Sequence, residues 1–227
     1  MEVPWWVWPQ SVVWVLLHGY LWWRLVKCTT RPGPARRIGT IGLALFAFAV
    51  PGALVAMHTL SPAEGAWITW PGFVWYALLV YLLLVLVAGE LLRLVLFVAR
   101  KVRRRGQDPE PAEVDFARRR FLSRGIAVTA GAVAVGTVGY GMSSAFSAPR
   151  LERVTIGLRG LPAAADRYRI LLVADTHLGP FLGRGTLRGI VDRVNAAKPD
   201  LVVIPGDLID GTVDDLGAAV APLADLR

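Results

Sequence analysis

The chain has 227 residues, of which 55% are hydrophobic, and its formal net charge is +8. Soluble domains are about 45–50% apolar, so the excess argues against a wholly soluble protein and predicts segments buried in a bilayer. The positive charge does not indicate a nucleic-acid-binding protein. Residues 150–227 carry ten Lys or Arg and ten Asp or Glu, and the basic surplus lies beside apolar runs. The single cysteine, Cys28, excludes an intrachain disulfide.

Three apolar runs in residues 1–99 predict transmembrane helices, because each is long enough to cross a bilayer. The runs lie at about 5–26, 38–60 and 73–99. In the third run, Glu90 and Arg93 are three residues apart, a spacing that lets them pair on one helix face. His18 in the first run is interpreted as a packed residue rather than a ligand.

Residues 100–120 are predicted to form a basic cytoplasmic linker, and the segment 121–146 that follows is again apolar. Two interpretations of this segment stay open. It is either a fourth transmembrane helix or a signal anchor, since Arg118–Arg120 followed by Phe-Leu resembles a twin-arginine export signal. As a helix in the bilayer, it is expected to approach its neighbours closely through small residues. These are Gly131, Gly136 and Gly139.

The distribution of basic residues predicts the orientation of the chain in a cell membrane. The loop from Lys27 to Arg37 and the segment 100–124 are basic, as cytoplasmic loops are. The predicted loop 61–72 contains no Lys or Arg and is expected on the other side. Alternation of the spans then predicts a multi-pass protein whose residues from 150 onward are extracytoplasmic.

Residues 150–227 have the composition of an ordinary α/β segment. Alternating apolar residues predict a strand at 152–158, and short apolar runs at 168–174 and 201–205 are typical of buried parallel strands. Between these two runs, helical spacing of apolar residues predicts a helix over 185–197. Together they predict a βαβ unit.

Polar side chains follow both strands of this unit. Asp175 and His177 come after the first strand, and Asp207 comes after the second. The carboxyl ends of parallel strands meet at one sheet edge, so these side chains are expected to converge. Close carboxylates repel each other unless a cation lies between them, and Asp with His suits Mn, Fe or Zn. The sequence therefore predicts a metal site.

The pattern Asp175-x-His177, followed by Gly206-Asp207-x-x-Asp210, resembles the first two motif blocks of the calcineurin-like metallophosphoesterase superfamily. The surrounding sequence resembles the membrane-associated bacterial branch of that superfamily. The resemblance implies a four-layer α/β sandwich with two divalent ions of the Mn, Fe or Zn type. It also implies that Asp175 and His177 bind the first ion and Asp207 bridges both. Asp210 would contact a ligand, and a hydroxide activated by the two metals would hydrolyse a phosphate ester.

The same family has a later Gly-Asn-His block and two further histidine blocks. This chain has three histidines, and 17 residues follow Asp210. Residues 150–227 are therefore expected to be an incomplete domain, in a fragment or truncated chain that has little activity by itself.

Two hypotheses about function follow. In the first, the intact protein is a membrane-anchored, metal-dependent phosphoesterase. Its substrate would be a phosphate mono- or diester from a lipid or the cell envelope. In the second, the chain is a non-catalytic membrane protein with a remnant βαβ module.

Overall fold

The computed structural model describes residues 7–103 and 116–227. These residues form two compact units. The first, called here the helical unit, comprises Met1–Ala56 and Pro71–Gly141. The second, called the α/β unit, comprises Met57–Trp70 and Met142–Arg227.

Long helices dominate the first 145 residues. They are α1 (Val7–Leu21), which runs directly into a π-helix (Trp22–Lys27), α2 (Pro34–Thr59), α3 (Pro62–Arg103) and α4 (Phe116–Ala145). Among the described helices, three are long and apolar enough to cross a membrane: α2, α3 from Glu64 and α4 from Arg120. Only 6% to 17% of the residues in their most apolar windows are buried, so most of these side chains face outward, as lipid-facing residues do.

The predicted fold class, membrane helices followed by an α/β segment, is confirmed. The first predicted span stays a prediction, because it begins outside the described residues and α1 itself has 15 residues. The predicted domain boundaries also stay predictions, and most of the expected linker 100–120 lies outside the described residues.

The core of the helical unit contains residues from all four α-helices. Its buried members include Leu21 of α1, Val50 of α2, Leu79 of α3 and Ala130 of α4. The expectation of close packing at Gly131, Gly136 and Gly139 is wrong. Among the described residues, no atom of a neighbouring element lies within 4 Å of where a β-carbon at those glycines would be. The face of α4 that packs is instead the one carrying Ala130 and Ala134.

Gly72 of α3 lies very close to α2. A β-carbon at this position would lie 2.6 Å from the carbonyl oxygen of Ala49 and 2.5 Å from the β-carbon of Ala53. Real β-carbons do not approach other atoms so closely. Only glycine therefore fits between α2 and α3 here.

Two groups of polar side chains in the helical unit, around His18 and around Glu90, make specific contacts. His18 is buried, with its Nδ1 3.0 Å from the carbonyl oxygen of Trp14 and its Nε2 accepting the indole N–H of Trp75 at 3.3 Å. Glu90 lies 3.3 Å from Arg93, as predicted, and 2.6 Å from Arg24. The interpretation of His18 as a packed residue is thus confirmed.

Helix α3 begins well before the predicted third span, so the predicted loop 61–72 is wrong. The hydroxyl of Ser61 accepts the backbone N–H of Glu64 at 3.4 Å and donates to the Glu64 carboxylate at 2.8 Å. The Ser-x-x-Glu spacing is that of a capping box, although here the Glu64 carboxylate accepts from the Ser61 hydroxyl and not from its backbone N–H. Pro62 occupies the first helical position, where proline is favoured. Residues 62–70 therefore form the first turns of α3 and belong to the α/β unit.

The rest of the α/β unit is a βαβ arrangement followed by a short helix. Its elements are β1 (Ile170–Leu172), α5 (Arg184–Ala197), β2 (Leu201–Val203) and α6 (Val213–Val220). The strands are parallel, and Ile170 pairs with Leu201. Leu187 and Val191 of α5 and Leu178 of the β1–α5 connection are almost completely buried and form the core.

The predicted strand at 152–158 is wrong. These residues have no regular secondary structure, and Val154, Ile156 and Leu158 are 80%, 73% and 63% exposed. A strand requires a partner for its backbone N–H and C=O groups. No strand within the described ranges pairs with this segment.

Candidate metal centre

The candidate site is built by the two loops that follow β1 and β2. Residues 175–182 form the first loop, called here the metal loop, and residues 206–211 form the second. Because β1 and β2 are parallel, both loops leave the sheet at the same edge. Pairing continues past the strands, since the N–H of Val173 donates to the carbonyl oxygen of Val203 at 3.0 Å.

Side chains alternate between the inside and the outside of the metal loop. Thr176 and Leu178 are buried, whereas Asp175 and His177 are exposed. The hydroxyl of Thr176 donates to the carbonyl oxygen of Leu208 at 3.0 Å. The inward residues thus fix the loop, and the outward residues are free to act as ligands.

Backbone hydrogen bonds join the two loops directly. The N–H of Leu178 donates to the carbonyl oxygen of Leu208 at 2.8 Å, and the N–H of Asp210 donates to the carbonyl oxygen of Leu178 at the same distance. A further bond of 3.2 Å runs from the N–H of His177 to the carbonyl oxygen of Asp207. The relative position of the candidate ligands is therefore set by the backbone.

The structure brings together the three predicted metal ligands. Asp175, His177 and Asp207 each offer one ligand atom, and these atoms all lie within 4.8 Å of one another. Two carboxylates and an imidazole so close together form a donor set that suits Mn, Fe or Zn. The residues present therefore fit a divalent transition-metal ion.

Asp210 contacts His177. Such a contact is required if Asp210 is to hold the histidine in position as a ligand. Its Oδ1 is 2.8 Å from the Nδ1 of His177, while the Nε2 of the same ring is 3.6 Å from the Oδ2 of Asp207. When Nδ1–H donates to a carboxylate, Nε2 is left as the free lone pair. Asp210 thus lies where it can orient the imidazole, with Nε2 directed toward Asp207.

The site is strongly acidic. The pKa of His177 is raised above its ordinary value of 6.5, first by the hydrogen bond to Asp210 and then by the negative charges of Asp210, Asp207 and Asp175. The same negative charges that hold a proton on the imidazole also attract a cation. A bound metal ion and a proton therefore compete for the same place.

The backbone is strained at all three candidate ligands. The φ angles are 54° at Asp175, 43° at His177 and 58° at Asp207, values that residues other than glycine rarely adopt. Non-glycine residues in this left-handed region cluster at functional sites. Here the strain coincides with the residues that the motif spacing singles out.

Two contributors to the site were not predicted. Thr176 fills the middle of the Asp-x-His pattern, and its role depends on a carbonyl group 32 residues away. Trp70 lies in α3, and its indole N–H donates to the carbonyl oxygen of Pro180 in the metal loop at 3.2 Å. The capping box at Ser61 is the signal that places Trp70 in a helix, but no local pattern predicts this contact.

Residues 168–226 match the family described as Calcineurin-like phosphoesterase. This match confirms the resemblance indicated by the two motifs. No solved structure matches the chain significantly.

Relatives combine such a domain with a membrane part. The chain is 34% identical over 213 residues to a zebrafish (Danio rerio) protein named "Transmembrane protein with metallophosphoesterase domain". The match covers 92% of this chain and 46% of the relative. A bovine (Bos taurus) protein of the same name is 40% identical over 87 residues, which are 38% of this chain and 20% of that one.

A bacterial relative is the uncharacterized metallophosphoesterase YkuE of Bacillus subtilis. It is 34% identical over 98 residues, or 41% of this chain and 34% of the relative. The chain spans less than half the length of each of these curated relatives. The chain is thus similar to relatives named as transmembrane proteins with a metallophosphoesterase domain, and three of its described helices are long and apolar enough to cross a membrane.

Proposed function

We propose that this protein is a membrane-anchored, metal-dependent phosphoesterase, because residues 168–226 match the calcineurin-like phosphoesterase family. The observation that carries the proposal is the convergence of Asp175, His177 and Asp207 within 4.8 Å at the edge of the sheet. The family is metal-dependent, and the donor set fits the ions that its members use.

Each residue has a distinct role in the proposed site. Asp175 and His177 would bind one divalent ion, and Asp207 would serve as a ligand shared with a second ion. Asp210 holds the imidazole of His177 in the tautomer that leaves Nε2 free. When bound, divalent cations supply charge neutralisation for the phosphoryl group and activation of water. The number of bound metal ions and their chemical identity are part of this proposal.

The substrate is proposed to be a phosphate ester carried by a lipid or derived from the cell envelope. Three of the described helices are long and apolar enough to cross a membrane, and such an anchor would concentrate the phosphoesterase segment near esters of that kind. The extracytoplasmic side is proposed for this segment, because the basic residues flank the spans on the opposite side. Comparing the hydrolysis of a lipid phosphate in vesicles with that of its soluble headgroup tests this preference.

The metal site is tested by Asp207→Ala in the full-length protein. We expect this change to abolish Mn²⁺ binding, measured by calorimetry, and the hydrolysis of bis-p-nitrophenyl phosphate, because it removes the proposed bridging carboxylate. Asp192→Ala, an exposed carboxylate on α5, is the matched control and should leave both unchanged. Turnover retained in Asp207→Ala would contradict the proposal. A wild-type protein that binds no metal would favour the alternative, a non-catalytic membrane protein with a βαβ module.

A further inference from the structure

An aromatic side chain in the first turns of α3 contacts the metal loop. Trp70 is half-buried, and its indole N–H donates to the carbonyl oxygen of Pro180 at 3.2 Å. Its ring also meets Phe181 edge-on, with the ring centroids 5.0 Å apart. Trp70 and Pro180 are 110 residues apart in sequence, so this contact is tertiary.

The metal loop has an anchored side and a tip, and Trp70 contacts the tip. On the anchored side, Leu178 is fully buried in the core formed with Leu187 and Val191. The tip is a tight turn, closed by a hydrogen bond of 2.8 Å from the N–H of Gly179 to the carbonyl oxygen of Leu182. Pro180 and Phe181 lie within that turn, so Trp70 supplies contacts that the core does not.

The same indole also contacts the residue that follows α4. Phe146 comes directly after Ala145, and its ring centroid is 5.1 Å from that of Trp70. Trp70 thus contacts two aromatic rings, one from the metal loop and one that directly follows α4. Such aromatic pairs add directional stabilisation beyond simple burial.

We propose that Trp70 is a positioning residue for the metal site. By holding the tip of the metal loop against the first turns of α3, it keeps Asp175 and His177, which lie three to six residues before Pro180 and Phe181, in the arrangement proposed to bind metal. This inference rests on the proposed function only for the identity of the ligand. The contact of Trp70 with the tip of the metal loop, called here the clamp, does not depend on a bound metal ion.

The first test is hydrogen exchange of the metal-free, full-length protein in detergent or nanodiscs. Trp70→Ala should speed exchange of residues 178–182 about tenfold, because it removes the hydrogen bond and both ring contacts. Trp70→Phe, which keeps a ring but loses the N–H donor, should have an intermediate effect. Trp67→Ala is the matched control, since Trp67 lies one turn earlier on α3 and is 75% exposed. Helix α5 serves as an internal reference.

Unchanged exchange of the loop in Trp70→Ala would overturn the clamp. An equal increase in α5 would also overturn it, because Trp70 would then stabilise the whole unit rather than position the loop. The second readout is Mn²⁺ affinity, which should weaken about tenfold in Trp70→Ala and stay unchanged in Trp67→Ala. Failure of the wild-type protein to bind Mn²⁺ would overturn the proposed function instead, while the exchange data would still decide the clamp.

Discussion

The two ring nitrogens of His177 face two different carboxylates. Its Nδ1 is hydrogen-bonded to Asp210, and its Nε2 faces Asp207. A neutral imidazole has one donor and one acceptor nitrogen, so the bond to Asp210 decides which nitrogen can bind a metal. The proposed role of Asp210 is therefore to orient a metal ligand, although Asp210 is not itself a ligand.

Asp210→Ala should therefore weaken metal binding without removing a ligand. We expect Mn²⁺ affinity to fall about 10- to 100-fold, the usual effect of losing a carboxylate that orients a ligating histidine. Calorimetric titration measures this loss, and Asp192→Ala again provides a control carboxylate. An affinity equal to that of the wild type would show that Asp210 has no orienting role.

The raised pKa of His177 predicts a pH dependence. A protonated imidazole cannot bind a metal, so Mn²⁺ affinity should decline as the pH falls through the raised pKa, beginning above pH 6.5. In the metal-free protein the sign is opposite. The charged ring stabilises the fold fully below pH 6.5, and this stabilisation is lost as the pH rises through the raised pKa.

Affinity measured across the pH range tests this expectation. In Asp210→Ala, the inflection should move to lower pH, because the hydrogen bond that contributes most to the raised pKa is gone. A wild-type inflection below pH 6.5 would contradict the assigned cause.

At the scale of elements, the packing of α2 against α3 depends on one position without a side chain. Gly72 lies where a β-carbon would contact Ala49 and Ala53 at distances below those of real contacts. The residue follows Pro71, which lies inside α3. Neither residue favours a helix interior, so tertiary packing outweighs local propensity here.

Gly72→Ala should destabilise the helical unit. Overpacking of this kind costs about 1–3 kcal/mol, more than the roughly 0.5–1 kcal/mol that alanine gains over glycine in a helix. Thermal unfolding in detergent measures the change. Gly42→Ala in α2 is the control, because no neighbouring atom lies within 4 Å of its added β-carbon, and its melting temperature should be unchanged or higher. Equal effects of the two changes would argue against the close helix contact.

Local patterns predict the βαβ unit and its ligands because both depend on short-range order. Strand, turn and helix periodicities lie within 168–210, and parallel pairing then brings Asp175 and Asp207 to one edge. The strand expected at 152–158 fails because a strand needs a partner that alternation cannot supply. Helix contacts through Ala130 rather than Gly131 depend on which face meets a neighbour, and the contact of Trp70 depends on a residue 110 positions away.

For the whole molecule, the distribution of charge still predicts two sides of a membrane. Basic residues lie in the loop between α1 and α2, whereas residues 150–227 are neutral overall. This asymmetry is the basis of the proposed orientation, in which the phosphoesterase segment is extracytoplasmic.

Cysteine labelling in intact cells tests that orientation. In a Cys28→Ser background the chain has no other cysteine, so a single introduced cysteine reports one site. Arg159→Cys, at an exposed position, should react with a membrane-impermeant maleimide in intact cells. Pro32→Cys, in the basic loop, should react only after permeabilisation. The reverse pattern would place the phosphoesterase segment in the cytoplasm.

The φ angles of Asp175, His177 and Asp207 are positive. At these three positions, the residues that best fit the backbone therefore differ from the residues that best bind a metal ion. Glycine would adopt these angles without strain, and asparagine with little, so either would relieve the backbone. Glycine has no side-chain ligand atom, and asparagine offers only a neutral amide oxygen in place of a carboxylate or an imidazole. A library selected only for folded protein would therefore drift toward glycine and asparagine at these positions. A library selected for metal binding would keep the native residues, and the disagreement between the two selections would mark the site.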